Sequence, residues 1–133
     1  MNLHLQSHYR YVRFYFIEQY FIFQNLVLSL PNEQTDMRIF TEKTLKEYIE
    51  IHSDAKTAIQ EWVDIVKRSE WTCFADVRRT FNSADAVGNQ RYVFNIKGNC
   101  YRIVAVIKFT IKFVYIRFVG THSEYDRIDC RNI

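Results

Sequence analysis

Residues 91–119 read RYVFNIKGNCYRIVAVIKFTIKFVYIRFV, and apolar and polar side chains alternate along much of this stretch. A period of two is typical of β-strands that pack one face on a core. Breaks in the pattern, the first at Gly98, divide the stretch into strands at 91–96, 101–109 and 112–119. Because the connections are short, neighbouring strands must run antiparallel, so the sequence predicts a three-stranded meander.

The residues before this meander carry a helical period instead. After a short strand at 38–40, Thr41 is a candidate N-cap for one helix, and Ser53 begins another. The second helix has an apolar stripe that we assign to the core, formed by Ala55, Ala58, Ile59, Trp62, Ile65 and Val66. A further short helix is predicted over 74–81, followed by a turn-rich connection over 82–89.

The chain is expected to leave the sheet at Gly120. Directly afterwards, Thr121-x-x-Glu124 forms a capping box, which predicts a terminal helix over 122–128. The predicted order of elements is β-α-α-(α)-β-β-β-α. Helices packed on one face of a small antiparallel sheet make this an α+β fold.

Residues 1–36 differ in composition from the rest of the chain. They hold eight of the 22 aromatic residues but only two basic and three acidic ones, whereas residues 37–133 hold 16 basic and 12 acidic ones. Charged side chains such as Arg13 interrupt the apolar run at 11–30, so neither a membrane span nor a signal peptide is predicted.

Two interpretations stay open for this N-terminal extension, residues 1–36. It is either a helix that packs an aromatic face on the domain or on a second copy, or translated sequence upstream of a start at Met37. We favour the second, because residues 37–133 contain a complete set of elements.

Several classes of site are not predicted. The three cysteines, Cys73, Cys100 and Cys130, are widely spaced and odd in number, which argues against a disulfide framework or a zinc site and favours a reducing compartment. There is no glycine-rich nucleotide motif, and no pair of carboxylates has a spacing suited to metal-assisted hydrolysis. We therefore expect neither a metal ion nor a cofactor.

Basic side chains gather near the predicted strand ends and turns, namely Arg91, Lys97, Arg102, Arg117 and His122. For each one alone, a solvated sheet face is a sufficient explanation. Together they predict a groove that attracts a polyanion such as RNA. His122 carries an imidazole, a side chain suited to proton transfer, although a capping or packing role is the alternative.

Two segments resemble a known family. Residues 91–104, RYVFNIKGNCYRIV, resemble the VFN-x-x-GN-x-[YL]R-[ILV]V segment of HigB toxins, and residues 115–126, YIRFVGTHSEYD, resemble their YIRFVGTH-x-EYD segment. The resemblance covers Met37 to about Asp129. HigB toxins are RelE-like, so the resemblance implies a RelE-like version of the α+β fold over residues 37–133.

The resemblance also implies a function. It implies a cytoplasmic endoribonuclease that cuts mRNA during translation, in the 30S decoding site beside the 16S rRNA. The ribose 2′-OH would attack the adjacent phosphate without a metal ion or other cofactor. The expected partner is a HigA-type antitoxin with a helix-turn-helix, and no membrane is involved.

Three residues take catalytic roles under this resemblance. Arg102 falls where RelE-like toxins keep a phosphate-stabilising arginine, His122 where a basic or proton-transfer residue follows the last strand, and Tyr125 where it can stack on a base or assist. RNA contacts are expected from Arg91, Asn95, Lys97 and Arg117. RelE has a lysine in place of Asn95 that helps to supply the base, so the identity of the general base is open and His122 is the candidate.

Two other functions fit the same fold. A ParE-like toxin would bind a gyrase subunit without nuclease chemistry, and a non-catalytic module would use the sheet to bind RNA or a partner. The pairing of His122 with Tyr125 and the VFN…GN…R segment favour the nuclease.

Overall fold

The computed structural model describes residues 35–133. The two interpretations of the N-terminal extension therefore concern residues that, apart from Thr35 and Asp36, lie outside the described residues. The elements in chain order are strand β1 (Arg38–Phe40), helix α1 (Glu42–Ile51), a 3-10 turn (Ser53–Ala55), helices α2 (Lys56–Arg68) and α3 (Phe74–Thr80), strands β2 (Asp85–Gly88), β3 (Arg91–Ile96), β4 (Tyr101–Lys108) and β5 (Phe113–Thr121), and helix α4 (His122–Tyr125).

The five strands form one sheet in the order β1-β5-β4-β3-β2. The predicted meander is confirmed, since β3, β4 and β5 pair antiparallel through short connections. The edge strand β1 instead runs parallel to β5, with Arg38 opposite Phe113. A parallel pair needs a long connection, and the helices together with β2–β4 provide it. The α+β fold class is confirmed.

One predicted turn is a strand. The connection over 82–89 contains β2, which pairs antiparallel with β3 and places Ala86 opposite Tyr92. The strand has only four residues, its register shifts between Ala86 and Gly88, and Gly88 has a φ of +99°. Such a short, irregular edge strand leaves no clear period of two in the sequence, so the prediction of a connection without a strand was wrong.

The prediction for the end of the sheet was also wrong. Strand β5 continues through Gly120 to Thr121, and Gly120 pairs with Arg102. The glycine fits here because a side chain would not: a Cβ would lie 3.0 Å from Cε1 of Phe118 and closer still to its Cζ. Helix α4 then ends at Tyr125, three residues earlier than predicted, although its capping box is confirmed.

Thr41 occupies the predicted position before α1 but does not cap the helix. Its φ is +67°, and its side chain makes no capping bond. The hydroxyl oxygen instead accepts a hydrogen bond from the amide of Ile116 at 3.0 Å. Strand β1 ends at Phe40, opposite Tyr115, so the next amide of β5 needs another acceptor, and Thr41 supplies it.

The core lies between the helices and one face of the sheet. The predicted stripe of α2 is confirmed as core, with Ile59, Trp62 and Val66 at 0–2% exposure. The rings of Trp62 and Phe94 meet edge to face, with their centroids 5.2 Å apart. Because successive strand residues point to opposite faces, Arg102 belongs to the face of β4 that turns away from this core.

Candidate active site

Arg102 occupies the centre of the sheet near one end. In the strand register it lies between Asn95 of β3 and Gly120 of β5. It is 7% exposed, and among the described residues it is the buried residue that carries a charge. A buried cation is costly unless it is paired or serves a function, so its surroundings are informative.

Among the described residues, the guanidinium of Arg102 donates only to uncharged acceptors. Its Nη1 donates to the carbonyl oxygen of Tyr101 at 3.1 Å and to that of Asn99 at 3.3 Å, and its Nη2 donates to the side-chain oxygen of Asn99. None of the ion pairs found within residues 35–133 includes Arg102. Its positive charge is therefore oriented but not compensated, which suits a phosphate-binding arginine.

Tyr125 lies against this guanidinium. The Cζ of Arg102 is 6.0 Å from the centroid of the Tyr125 ring, at the limit of a cation–π contact. The Tyr125 hydroxyl contacts Sγ of Cys130 at 3.6 Å. Burial, together with this contact, raises the pKa of Tyr125 to about 12. The phenol is consequently protonated at neutral pH, so it can donate a proton or a hydrogen bond but is poorly suited to act as a base.

His122 lies at the same end of the sheet. Its backbone amide donates to the carbonyl of Cys100 at 3.0 Å, and it begins α4 immediately after the capping residue Thr121. The ring Nε2 is 3.8 Å from Oδ2 of Asp126. The ring Nδ1 is buried and has no hydrogen-bond partner within the described part of the chain. One ring nitrogen thus faces a carboxylate, while the other is enclosed without a partner in this part of the chain.

The four residues predicted to contact RNA are not equivalent. Asn95 is half-buried and lies directly opposite Arg102. Lys97 lies in the turn after β3, where its Nζ is 3.2 Å from Oδ2 of Asp54, so its charge is already partly engaged. Arg117 is exposed. It lies at a bulge of β5, because its two neighbours in this strand pair with consecutive residues of β4.

Arg91 is not brought to this group. It lies four residues before Asn95 in β3, which corresponds to about 13 Å along a strand. Its Nε and Nη2 donate to the carbonyl oxygen of Ile133 at 3.0 and 2.6 Å. It therefore holds the C-terminal residues, and its distance from Arg102 separates it from the candidate site.

The structure adds residues that sequence reasoning did not single out. Asn99 contacts Arg102 directly, although the sequence placed it only in the short connection between two predicted strands. Asp54 accepts from the hydroxyl of Tyr101 at 2.6 Å, across 47 positions in the chain, and no local pattern could signal that contact. This hydrogen bond, followed by that from Lys97, holds the pKa of Asp54 below its ordinary value.

Two general properties of the described residues bear on function. Within residues 35–133, no three His, Cys, Asp or Glu side chains form a group that could hold a metal ion. No helix in this part of the chain combines the length and the apolar character needed to cross a membrane.

Comparison with known proteins places the chain in a class. Residues 55–128 match a family described as the RelE-like toxic component of a toxin-antitoxin system. The chain is 33% identical over 92 residues to the mRNA interferase toxin HigB of Escherichia coli K12, covering 68% of this chain and 88% of that protein. An mRNA interferase HigB of Escherichia coli O6:H1 is 23% identical over 94 residues, covering 69% and 91% of the two chains.

Together, the α+β fold and these matches define a RelE-like toxin. More particularly, the chain belongs to the HigB toxin family. The matched region includes Arg102, His122 and Tyr125, so the cluster at the end of the sheet lies within the family's domain.

Proposed function

We propose that this protein is the toxin of a toxin-antitoxin system and acts as an endoribonuclease on mRNA. Membership of the HigB toxin family and the activity named for its relatives support this proposal. The observation that carries it is Arg102: the residue is 7% exposed, and its guanidinium is held by uncharged acceptors and lies beside Tyr125. A site of this kind provides positive charge for a phosphate within reach of groups that transfer protons.

The proposed reaction needs no cofactor. A base removes the proton of a ribose 2′-OH, and the oxygen attacks the adjacent phosphorus while the bond to the 5′-oxygen breaks. An acid returns a proton to that leaving oxygen, so the products are a 2′,3′-cyclic phosphate and a 5′-hydroxyl. Arg102 stabilises the charge of the phosphorane. DNA is not cut, because it lacks the attacking hydroxyl.

The proton-transfer roles follow from the state of each group. His122 is the candidate base, because it lies at the same end of the sheet as Arg102 and its Nε2 is 3.8 Å from Oδ2 of Asp126, a carboxylate that can orient the ring. Tyr125, with a pKa of about 12, is protonated and is suited to donate to the phosphate or to the leaving oxygen. Asn95 and Arg117 contact the flanking RNA, and Lys97 does so from the neighbouring turn.

We further propose that cleavage depends on the ribosome, that it occurs in the cytoplasm, and that a HigA-type helix-turn-helix antitoxin neutralises the toxin. Membership of a toxin-antitoxin family supports an antitoxin partner. The side chains brought together here supply charge and proton transfer but little surface for reading a sequence. A translating ribosome would present the mRNA in a defined geometry and so supply the missing orientation.

Primer extension on mRNA with purified protein, with and without translating ribosomes, tests this function. We expect cuts only when ribosomes are present. Arg102→Ala should slow cleavage about 10²–10³-fold, as for the loss of one transition-state donor. His122→Gln should slow it about 10²–10⁴-fold, the usual contribution of a general base. Arg68→Ala, at an exposed position at the end of α2, is the matched control and should cut normally.

The outcomes separate function from site. If the wild-type protein cuts no mRNA under either condition, the proposed activity is wrong. If it cuts but Arg102→Ala and His122→Gln cut at the same rate, the activity stands and the assignment of the site is wrong. Cuts in free mRNA would contradict only the dependence on the ribosome, and the proposed activity would stand.

A further inference from the structure

The turn between β3 and β4 brings Asn99 to the guanidinium of Arg102. Lys97 and Gly98 have φ angles of +51° and +64°, and the amide of Cys100 donates to the carbonyl of Lys97 at 3.2 Å. The two left-handed residues reverse the chain, so that the main-chain and side-chain oxygens of Asn99 both accept from Arg102. Asn99 itself is not among the residues with a positive φ. Its backbone conformation therefore does not call for an asparagine, and its side-chain oxygen accepts from Arg102.

This turn is also anchored on both sides of Asn99. Lys97 pairs with Asp54 at 3.2 Å, and the hydroxyl of Tyr101 donates to the same carboxylate at 2.6 Å. Asp54 belongs to the 3-10 turn between α1 and α2, so the helical layer holds the residues before and after Asn99. The side-chain oxygen of Asn99 is thus presented to Arg102 from a braced segment of backbone.

The chemical identity of this acceptor is the informative point. An aspartate would fit the same space and would make a stronger, charge-assisted bond to the guanidinium. It would also cancel the charge of Arg102. An amide oxygen orients the guanidinium and leaves the charge available for an incoming phosphate.

We propose that Asn99 is a positioning residue, whose neutral side-chain oxygen orients Arg102 without compensating its charge. This inference rests on the proposed function of Arg102 as the arginine that binds the RNA phosphate. It predicts that a carboxylate at position 99 harms phosphate binding although it strengthens the contact with Arg102.

Asn99→Asp and Asn99→Ala are the informative variants, and Gln60→Glu is the control. Gln60 is exposed on α2, in the helical layer on the other side of the sheet, and it undergoes the same change from amide to carboxylate. Binding is measured with a 2′-O-methyl RNA oligonucleotide, which lacks the nucleophile, over a range of salt concentrations. Cleavage is measured as kcat and KM with translating ribosomes, and folding as Tm.

We expect Asn99→Asp to lower kcat about a hundredfold while its Tm stays equal to that of the wild type or rises. The slope of log K against log salt should fall by about 0.7, the value for one lost phosphate contact on a single strand. Asn99→Ala should lower kcat about tenfold and leave the salt slope unchanged, since the charge of Arg102 remains. Gln60→Glu should match the wild type in all three measurements.

A wild-type kcat and salt slope for Asn99→Asp would overturn the inference. So would a fall in Tm that is equal for Asn99→Asp and Asn99→Ala, because Asn99 would then serve only the stability of the turn. If the wild-type protein cuts no RNA, the proposed activity fails. The salt slopes then still decide whether Asn99 keeps the charge of Arg102 available.

Discussion

Gly120 offers a test that links the packing of the sheet to its site. The residue pairs with Arg102, and the ring of Phe118 covers the space where a side chain would be. In Gly120→Ala the new Cβ would lie 3.0 Å from Cε1 of Phe118 and closer to its Cζ, whereas carbon atoms pack at about 3.5–4.0 Å. The half-buried Phe118 ring must swing away and lose its present contacts.

The expected cost is about 1–3 kcal/mol in the free energy of unfolding, as for an overpacked site. For a domain of this size the Tm should fall about 4–8 °C for each kcal/mol. Urea unfolding of Gly120→Ala, Phe118→Ala and the double variant, completed as a double-mutant cycle, measures the effect. Because the clash needs both side chains, the double variant should be more stable than the sum of the two losses predicts, by about 0.5–3 kcal/mol.

Cleavage should follow the same pattern, because the displaced ring covers Gly120, the residue that pairs with Arg102. Additive losses in the unfolding cycle would refute the reasoning, since they would mean that the Phe118 ring is not what excludes a side chain at Gly120. An unchanged Tm for Gly120→Ala would refute it equally. Ala86→Gly, at an exposed position of β2, controls for a small change elsewhere in the sheet.

Two further predictions concern the remainder of the domain. The pKa of Asp54 lies below its ordinary value, mainly because of Tyr101 and then Lys97, so its stabilising contribution is present at neutral pH and is lost as the pH falls below about 4. Asp54→Asn should therefore be less stable than the wild type at pH 7 and should lose less stability on acidification. Urea unfolding at several pH values measures both effects. Parallel curves of the free energy of unfolding against pH for the two proteins would contradict this prediction. The fragment 37–133 should fold with a Tm close to that of the full chain, because Met37 is 1% exposed and its amide donates to Ser69. Loss of cooperative unfolding in circular dichroism would assign the first 36 residues to the domain.

The parts of the fold that sequence could predict are those with a sustained period. Strand β3 has the predicted bounds, and the stripe around Trp62 is buried, because both patterns extend over enough residues to be distinct. Strand β2 has four residues and a shifted register, so its pairing depends on β3 and not on its own pattern. Thr41 has a typical N-cap residue type, but the unpaired amide of Ile116 competes for its hydroxyl, and that amide belongs to a strand 75 positions later.

The difference between local patterns and contacts that are remote in sequence also explains which parts of the site could be predicted. Alternation assigns Arg91, Asn95 and Arg102 to one face of the sheet, but it does not say which end of that face a substrate would occupy. The end is determined by contacts that are remote in sequence: Arg91 holds Ile133, 42 positions away, while the turn beside Arg102 is braced by Asp54. Whether a basic residue on this face is a candidate for the site therefore depends on its position along the strand and on the partners that it already has. Lys97 pairs with a carboxylate and Arg91 is held at the other end of this face, whereas Arg102 is oriented by neutral oxygens and lies beside Tyr125. The residue to test first is thus Arg102, whose acceptors are uncharged, and the role that we propose for Asn99 is to keep this charge available to a phosphate.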